Sequence, residues 1–219
     1  MNKIEVLQRI HATGLIPVVR AESAELAVQA VEAIKAGGIH VLEVTMTVPG
    51  AIGVIEQLTS MFGADALIGA GTVLDPETAY QCIKAGAQFI VSPALNEDTI
   101  TFCRVNEVPV FPGALTPTEV VRAWNAGADA VKIFPASAVG GASYLKSLKA
   151  PLPQIELIPT GGVSLTTAAA FIAAGAFALG VGADLVDVKA IRSGNAQKVT
   201  EAARAYLAVV SEARSSMSN

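Results

Sequence analysis

One short pattern occurs four times along the chain: Ala36-Gly-Gly-Ile-His-Val-Leu-Glu-Val, Ala85-Gly-Ala-Gln-Phe-Ile-Val-Ser-Pro, Ala126-Gly-Ala-Asp-Ala-Val-Lys-Ile-Phe and Ala174-Gly-Ala-Phe-Ala-Leu-Gly-Val-Gly. Each reads as the end of a helix followed at once by a strand. Glycine takes the left-handed conformation that closes a helix C-terminus, and a β-branched or apolar run then begins. The marker glycines, Gly37, Gly86, Gly127 and Gly175, stand 41 to 49 residues apart. A β-α unit of a barrel takes about 25 residues, so each interval holds two units and a second strand. Those strands are the apolar runs Leu15-Ile-Pro-Val-Val-Arg, Ala66-Leu-Ile-Gly-Ala-Gly-Thr-Val, Val108-Pro-Val-Phe-Pro-Gly and Ile155-Glu-Leu-Ile-Pro-Thr-Gly-Gly. Helices are expected between strands, among them Ala24 to Ala36 behind a Ser23 cap, Pro76 to Ala85 behind Asp75, and Pro117 to Ala126 behind Thr116. Ala196 to Asn219 reads as a last helix with a Ser-rich end. Eight alternating pairs predict an α/β fold of the (β/α)8 TIM-barrel type, one domain over residues 1–219. An open doubly wound sheet is the alternative, but such sheets usually have fewer strands.

Composition narrows the class of partner. The chain is 52% hydrophobic and 16% charged, with a net charge of −4 and a mean hydropathy of +0.52, which excludes disorder. Mild acidity argues against nucleic acid or a membrane surface, both of which attract basic patches, and leaves a small metabolite as the expected partner. Leu157 to Ala183 contains no charged residue and is long enough to span a bilayer. Its Pro159 and five glycines break it, and Ser164-Leu-Thr-Thr resembles a helix N-cap, so it reads as strand, turn, short helix and strand. Met1-Asn-Lys-Ile-Glu-Val lacks an apolar signal region, which makes the cytoplasm the default location. Cys82 and Cys103 form no CxxC pattern and read as buried free thiols rather than a disulfide or zinc site.

Reactive groups of such barrels stand at the C-terminal ends of strands. Few strand ends here are polar: Arg20, Glu43 and Thr45, Thr72, Lys132 and Thr160. Lys132 lies between Val131 and Ile133 inside a strand. Desolvation there disfavours the ammonium form and enlarges the fraction of nucleophilic amine; a lysine reaching up to water is the alternative. Glu43 shares a strand face with Val41 and Thr45, so it can act as a general base beside Lys132, or pair with Arg20. Thr160-Gly161-Gly162 and Gly180-Val-Gly182 end adjacent strands. Their backbone N–H groups suit a phosphate, although a glycine pair alone is most often a turn. His11 and His40 are isolated, and no metal site is expected. Phe134, one strand period beyond Lys132, is expected to line the same cavity.

Leu42-Glu-Val-Thr-Met-Thr-Val-Pro, Ile68-Gly-Ala-Gly-Thr-Val-Leu, Phe89-Ile-Val-Ser-Pro, Phe111-Pro-Gly, Thr116-Pro-Thr-Glu, Val131-Lys-Ile-Phe-Pro-Ala-Ser and Pro159-Thr-Gly-Gly-Val-Ser follow one another in this order. Together they resemble the 2-keto-3-deoxy-6-phosphogluconate (KDPG) / 4-hydroxy-2-oxoglutarate (KHG) aldolase family, from about Leu15 to Gly182. The resemblance implies a class I aldolase without cofactor, usually a homotrimer, that releases pyruvate from a 2-keto acid. It makes Lys132 the Schiff-base lysine and Glu43 the proton-transfer residue. Arg20 and Thr72 would hold the pyruvate carboxylate, Pro93 and Phe134 would shape the pocket, and Gly161, Gly162 and Gly182, beside Thr160, would hold phosphate.

Three positions depart from that pattern: Thr47 where some members have arginine, Ala183 where many have serine, and Gly140-Gly-Ala-Ser where Gly-Pro is more usual. Loss of a serine donor at Ala183 would weaken phosphate binding by roughly 0.5–1.5 kcal/mol. The galactonate epimer is an alternative substrate. A phosphosugar isomerase or epimerase, which would not need Lys132 as a nucleophile, and a barrel that only binds a phosphometabolite, which Ala183 favours, are alternatives of other classes.

Overall fold

Strands whose apolar residues do not alternate with polar ones must be covered on both faces, and the chain meets this demand by wrapping helices around a closed parallel sheet. The structure, a computed structural model, describes residues 1–217. Its strands are β1 (Leu15–Val19), β2 (Val41–Thr45), β3 (Leu67–Gly71), β4 (Ile90–Val91), β5 (Val110–Phe111), β6 (Gly113–Ala114), β7 (Val131–Ile133), β8 (Leu157–Pro159) and β9 (Leu179–Val181). Its helices are α1 (Lys3–Thr13), α2 (Ala24–Ala36), α3 (Ala51–Phe62), α4 (Pro76–Lys84), α5 (Glu97–Val105), α6 (Pro117–Ala126), α7 (Ala142–Lys149), α8 (Ala168–Ala173), α9 (Val188–Arg192) and α10 (Gln197–Met217). β5 and β6 are one barrel strand broken at Pro112, which has no N–H to donate. All pairings are parallel, in the orders β5-β4-β3-β2-β1-β9 and β6-β7-β8. The Thr160–Gly180 bridge and the Phe177 N–H donated to the Leu157 carbonyl (2.9 Å) join β8 to β9 and close the eight-stave barrel.

The capping signals act as expected. Ser23, Asp75 and Thr116 accept from Leu26, Thr78 and Glu119 N–H groups, each cap contributing about 1 kcal/mol. Gly86, Gly127 and Gly175 have φ of +98°, +103° and +91°. The first repeat differs: Gly37 keeps a helical φ of −81°, and Gly38 takes the left-handed turn at +99°. Gly37 serves close packing instead, since a Cβ there would lie 2.5 Å from Ala203 Cβ and 2.6 Å from the Thr200 carbonyl of α10. Ser164 does not cap α8. It opens a turn in which its amide donates to Thr167 Oγ1 (2.9 Å), and α8 begins at Ala168. The last helix starts at Gln197, and Ser218 and Asn219 lie outside the described residues. Leu157 to Ala183 forms β8, α8 and β9, and no helix among the described residues is long and apolar enough to cross a membrane.

Two buried layers result. The larger fills the space between helices and the outer face of the sheet, with Leu42, Val44, Val131 and Ile133 pointing into it. Both cysteines are buried and free. Burial pushes the Cys82 thiol up to about 11 and the Cys103 thiol up to about 12. The smaller layer fills the lumen with side chains from every stave: Ile16, Val41, Leu67, Phe89 and Val91, Phe111, Ala130, Ile158 and Ala178. Val6 and Ile10 of α1 plug its lower end. α1 is in turn held by the other terminus of the chain, because Arg214 donates to the carbonyls of His11 (2.5 Å) and Ala12 (3.1 Å), and to that of Phe177 (3.1 Å). The first two are among the last carbonyls of α1, which a helix leaves without an intrahelical donor, and the third flanks β9.

Arg214→Leu is therefore expected to lower the free energy of unfolding by about 1.5–3 kcal/mol, the range for hydrogen bonds to a charged group. Arg204→Leu on the same helix, whose source residue makes one 3.5 Å bond to the Ala36 carbonyl, should change it by less than about 0.5 kcal/mol. Urea denaturation of the two variants makes the comparison, and equal effects would refute the anchoring role.

Candidate active site

Side chains alternate between the two faces of a strand, so the residues two positions above the lumen layer also point inward. Above Val41 comes Glu43, above Ala130 comes Lys132, above Ile158 comes Thr160, and above Ile16 comes Val18. The sheet register puts Val18 beside Glu43 and Glu43 beside Gly69, while Lys132 sits between Gly113 and Ile158. Lys132 and Glu43 are both 2% exposed, and Lys132 Nζ lies 3.9 Å from Glu43 Oε1. That separation exceeds a hydrogen bond. Glu43 Oε1 has no hydrogen-bond partner although it is fully buried. A buried carboxylate oxygen without a donor is costly, so the arrangement is suited to a ligand hydroxyl or a water that would complete it.

Glycine makes the room. A Cβ at Gly71 would overlap the Glu43 carboxylate, and one at Gly69 would overlap the Phe89 ring. Thr45, on the same strand face as Glu43, is fully buried and satisfied: it donates to the Val19 carbonyl at 3.2 Å or shares a 2.6 Å hydrogen bond with Thr47. Lys132 Nζ also lies 5.4 Å from the centroid of the Phe134 ring. Glu43 is thus engaged with Lys132 and not with Arg20, which forms no ion pair among the described residues.

Above this pair a cavity of about 430 Å³ opens at the C-terminal mouth of the barrel. Arg20, Phe134, Thr160, Gly161, Gly162 and Gly182 line it, as do Val18, Ser164, Ala183 and Asp184. Lys132 and Glu43 lie beneath this wall. Thr72 and Pro93 are half-buried at the ends of β3 and β4 and do not line the cavity. Thr72 has a φ of +61°, a conformation that a β-branched residue adopts at a cost of about 1–3 kcal/mol and that clusters at functional sites. Gly161 and Gly162 have φ of +90° and +76°. A Cβ on Gly162 would overlap Ser137, so this loop admits only glycine at that point. The amides of Gly162 and Ala183 donate to no acceptor among the described residues and are available to an anion.

Two polar lining residues carry no clear signal in the sequence. Ser164 has the surroundings of a helix cap, which conceal its place on the cavity. Asp184 gave no signal, since its meaning depends on a distant partner: the Tyr206 hydroxyl of α10 donates to Asp184 Oδ1. Burial, and next the bond to Asp184, push the Tyr206 phenol well above its ordinary range, so it stays a donor. The histidines lie elsewhere, His11 against Phe177 and His40 against the Asp65 carbonyl.

A family profile described as KDPG and KHG aldolase matches residues 6–202. A 2-dehydro-3-deoxy-phosphogluconate aldolase of Treponema pallidum is 36% identical over 210 residues, 94% of this chain and 98% of the relative. A KHG/KDPG aldolase of Escherichia coli strain K12 is 33% identical over 198 residues, 90% and 92% of the two chains. Among solved structures, a KDPG aldolase of Legionella pneumophila, with pyruvate captured as a covalent carbinolamine, superposes with a TM-score of 0.85 at 34% identity, covering 91% of this chain and 97% of that one.

If Gly71 is kept small by the Glu43 carboxylate, Gly71→Ala should destabilise the wild type by about 1–3 kcal/mol through overpacking. In a Glu43→Ala background the same change should cost less than about 1 kcal/mol. A double-mutant cycle by chemical denaturation reads the coupling, and equal costs in the two backgrounds would reject the contact.

Proposed function

Because the chain belongs to the KDPG and KHG aldolase family, we propose that it is a class I aldolase that cleaves 2-keto-3-deoxy-6-phosphogluconate to pyruvate and glyceraldehyde 3-phosphate, or 4-hydroxy-2-oxoglutarate to pyruvate and glyoxylate. The observation that carries the proposal is the buried Lys132–Glu43 pair, 3.9 Å apart with an unpartnered carboxylate oxygen, under an open cavity.

In this reading the Lys132 amine attacks the C2 ketone, and loss of water gives an iminium that withdraws electrons from C3. Glu43, through a water, takes the C4 hydroxyl proton as the C3–C4 bond breaks, and its electron pair forms the enamine. The aldehyde leaves. Glu43 returns the proton to C3, and hydrolysis of the resulting iminium frees pyruvate and the amine. The iminium serves as the electron sink, so the step needs no cofactor.

Arg20, a cavity cation without an ion-pair partner among the described residues, is suited to the pyruvate carboxylate; the family resemblance gives Thr72, at the end of β3 and outside the cavity lining, the same role. Phe134 shapes the wall, and the resemblance assigns Pro93, at the end of β4, to the pocket's outer surroundings. Thr160, Gly161, Gly162 and Gly182 receive the distal end of the substrate, where unengaged amides favour an anion. The family resemblance adds a homotrimer to the same proposal, which also takes the cytoplasm as its location.

Incubation with pyruvate and borohydride, followed by peptide mass spectrometry, should find a reduced pyruvate adduct on Lys132; an unmodified Lys132 would overturn the reading. Glu43→Gln should still trap pyruvate while its turnover falls by about 10²-fold or more. Unchanged turnover in that variant would reject the base assignment.

A further inference from the structure

The proposed distal site holds two opposed features. Open amides of Gly162 and Ala183 attract an anion, yet the acidic residue Asp184 lines the same cavity. Asp184 has no cationic partner among the described residues, and its one hydrogen bond comes from the neutral Tyr206 hydroxyl. Tyr206 is 0% exposed in α10, and the same hydroxyl approaches the Val163 carbonyl at 3.5 Å. One rigid phenol thereby ties Asp184 to the loop that follows β8, so the charge stays at the cavity instead of turning away into solvent. Arg20 is the only cation lining the cavity among the described residues, and the substrate carboxylate claims it in the reading above. No second cation offsets both a phosphate dianion and Asp184.

We propose that Asp184 is a specificity-determining residue that disfavours a phosphorylated distal end, so that 2-keto-3-deoxy acids ending in a free hydroxyl compete as substrates. This rests on the aldolase reading. Like charges at the cavity mouth repel, and the repulsion is screened by salt because the mouth is open to water. A terminal hydroxyl meets no such repulsion and can donate to the carboxylate.

The test measures kcat/KM for KDPG and for 2-keto-3-deoxygluconate, the same keto acid with its terminal hydroxyl free. The wild type is compared with Asp184→Asn and Asp184→Glu at low and high ionic strength. The ratio of the two values, phosphorylated over free, should rise about three- to tenfold in Asp184→Asn at low salt, and the gain should shrink as salt rises. Asp184→Glu, which keeps the charge, should hold the ratio within about twofold of wild type. A ratio unchanged or lowered in Asp184→Asn, or a gain indifferent to salt, would overturn the inference. Trapping of pyruvate on wild-type Lys132 separates the two claims. Trapping with an unmoved ratio rejects only the role of Asp184, whereas absence of trapping rejects the aldolase reading and this inference with it.

Discussion

Two opposite charges buried in one apolar lumen are the constraint around which the upper half of the barrel is organised. An isolated ammonium or carboxylate taken out of water is strongly disfavoured, so Lys132 and Glu43 require each other. Their 3.9 Å separation is too long for a hydrogen bond and leaves Glu43 Oε1 unpartnered. Their attraction offsets only part of the desolvation. The remainder is stored as a demand for a ligand that completes the hydrogen bonding, as catalytic preorganisation requires.

The surroundings are arranged to tolerate that demand. Gly69 and Gly71 vacate the lumen beside Glu43, and Gly180 vacates it beside Thr160. Below them, the apolar layer from Ile16 to Ala178, plugged by Val6 and Ile10, closes the lower end of the lumen. Arg214 secures the plug from the far end of the chain. Stability is thus concentrated at the lower end of the barrel and chemistry at the upper, the usual division of labour in this architecture.

Most of the architecture was legible because it depends on local signals. Helix caps at Ser23, Asp75 and Thr116 work within three residues, and the repeat glycines mark helix ends one turn from the strand they precede. The exception is instructive. Gly37 matches the repeat, yet α10, more than 160 residues later, packs so closely that the position is kept small for contact, while Gly38 makes the turn. Ser164 failed as a cap for a related reason: Thr167 provides a nearer hydroxyl that draws the loop into a turn and leaves Ser164 on the cavity.

By itself the sequence determined which strand faces are polar. The two-residue period assigns Glu43 and Lys132 to the inward face once their strands are recognised, and the glycine pairs follow those strands directly. Only the tertiary structure decided how these groups stand toward one another, because separation across a barrel depends on register and tilt, which no local spacing encodes. It put Glu43 on Lys132 and left Arg20 to the cavity. It also brought Tyr206 of the last helix under Asp184, a pairing formed by chain closure and invisible to any sequence window.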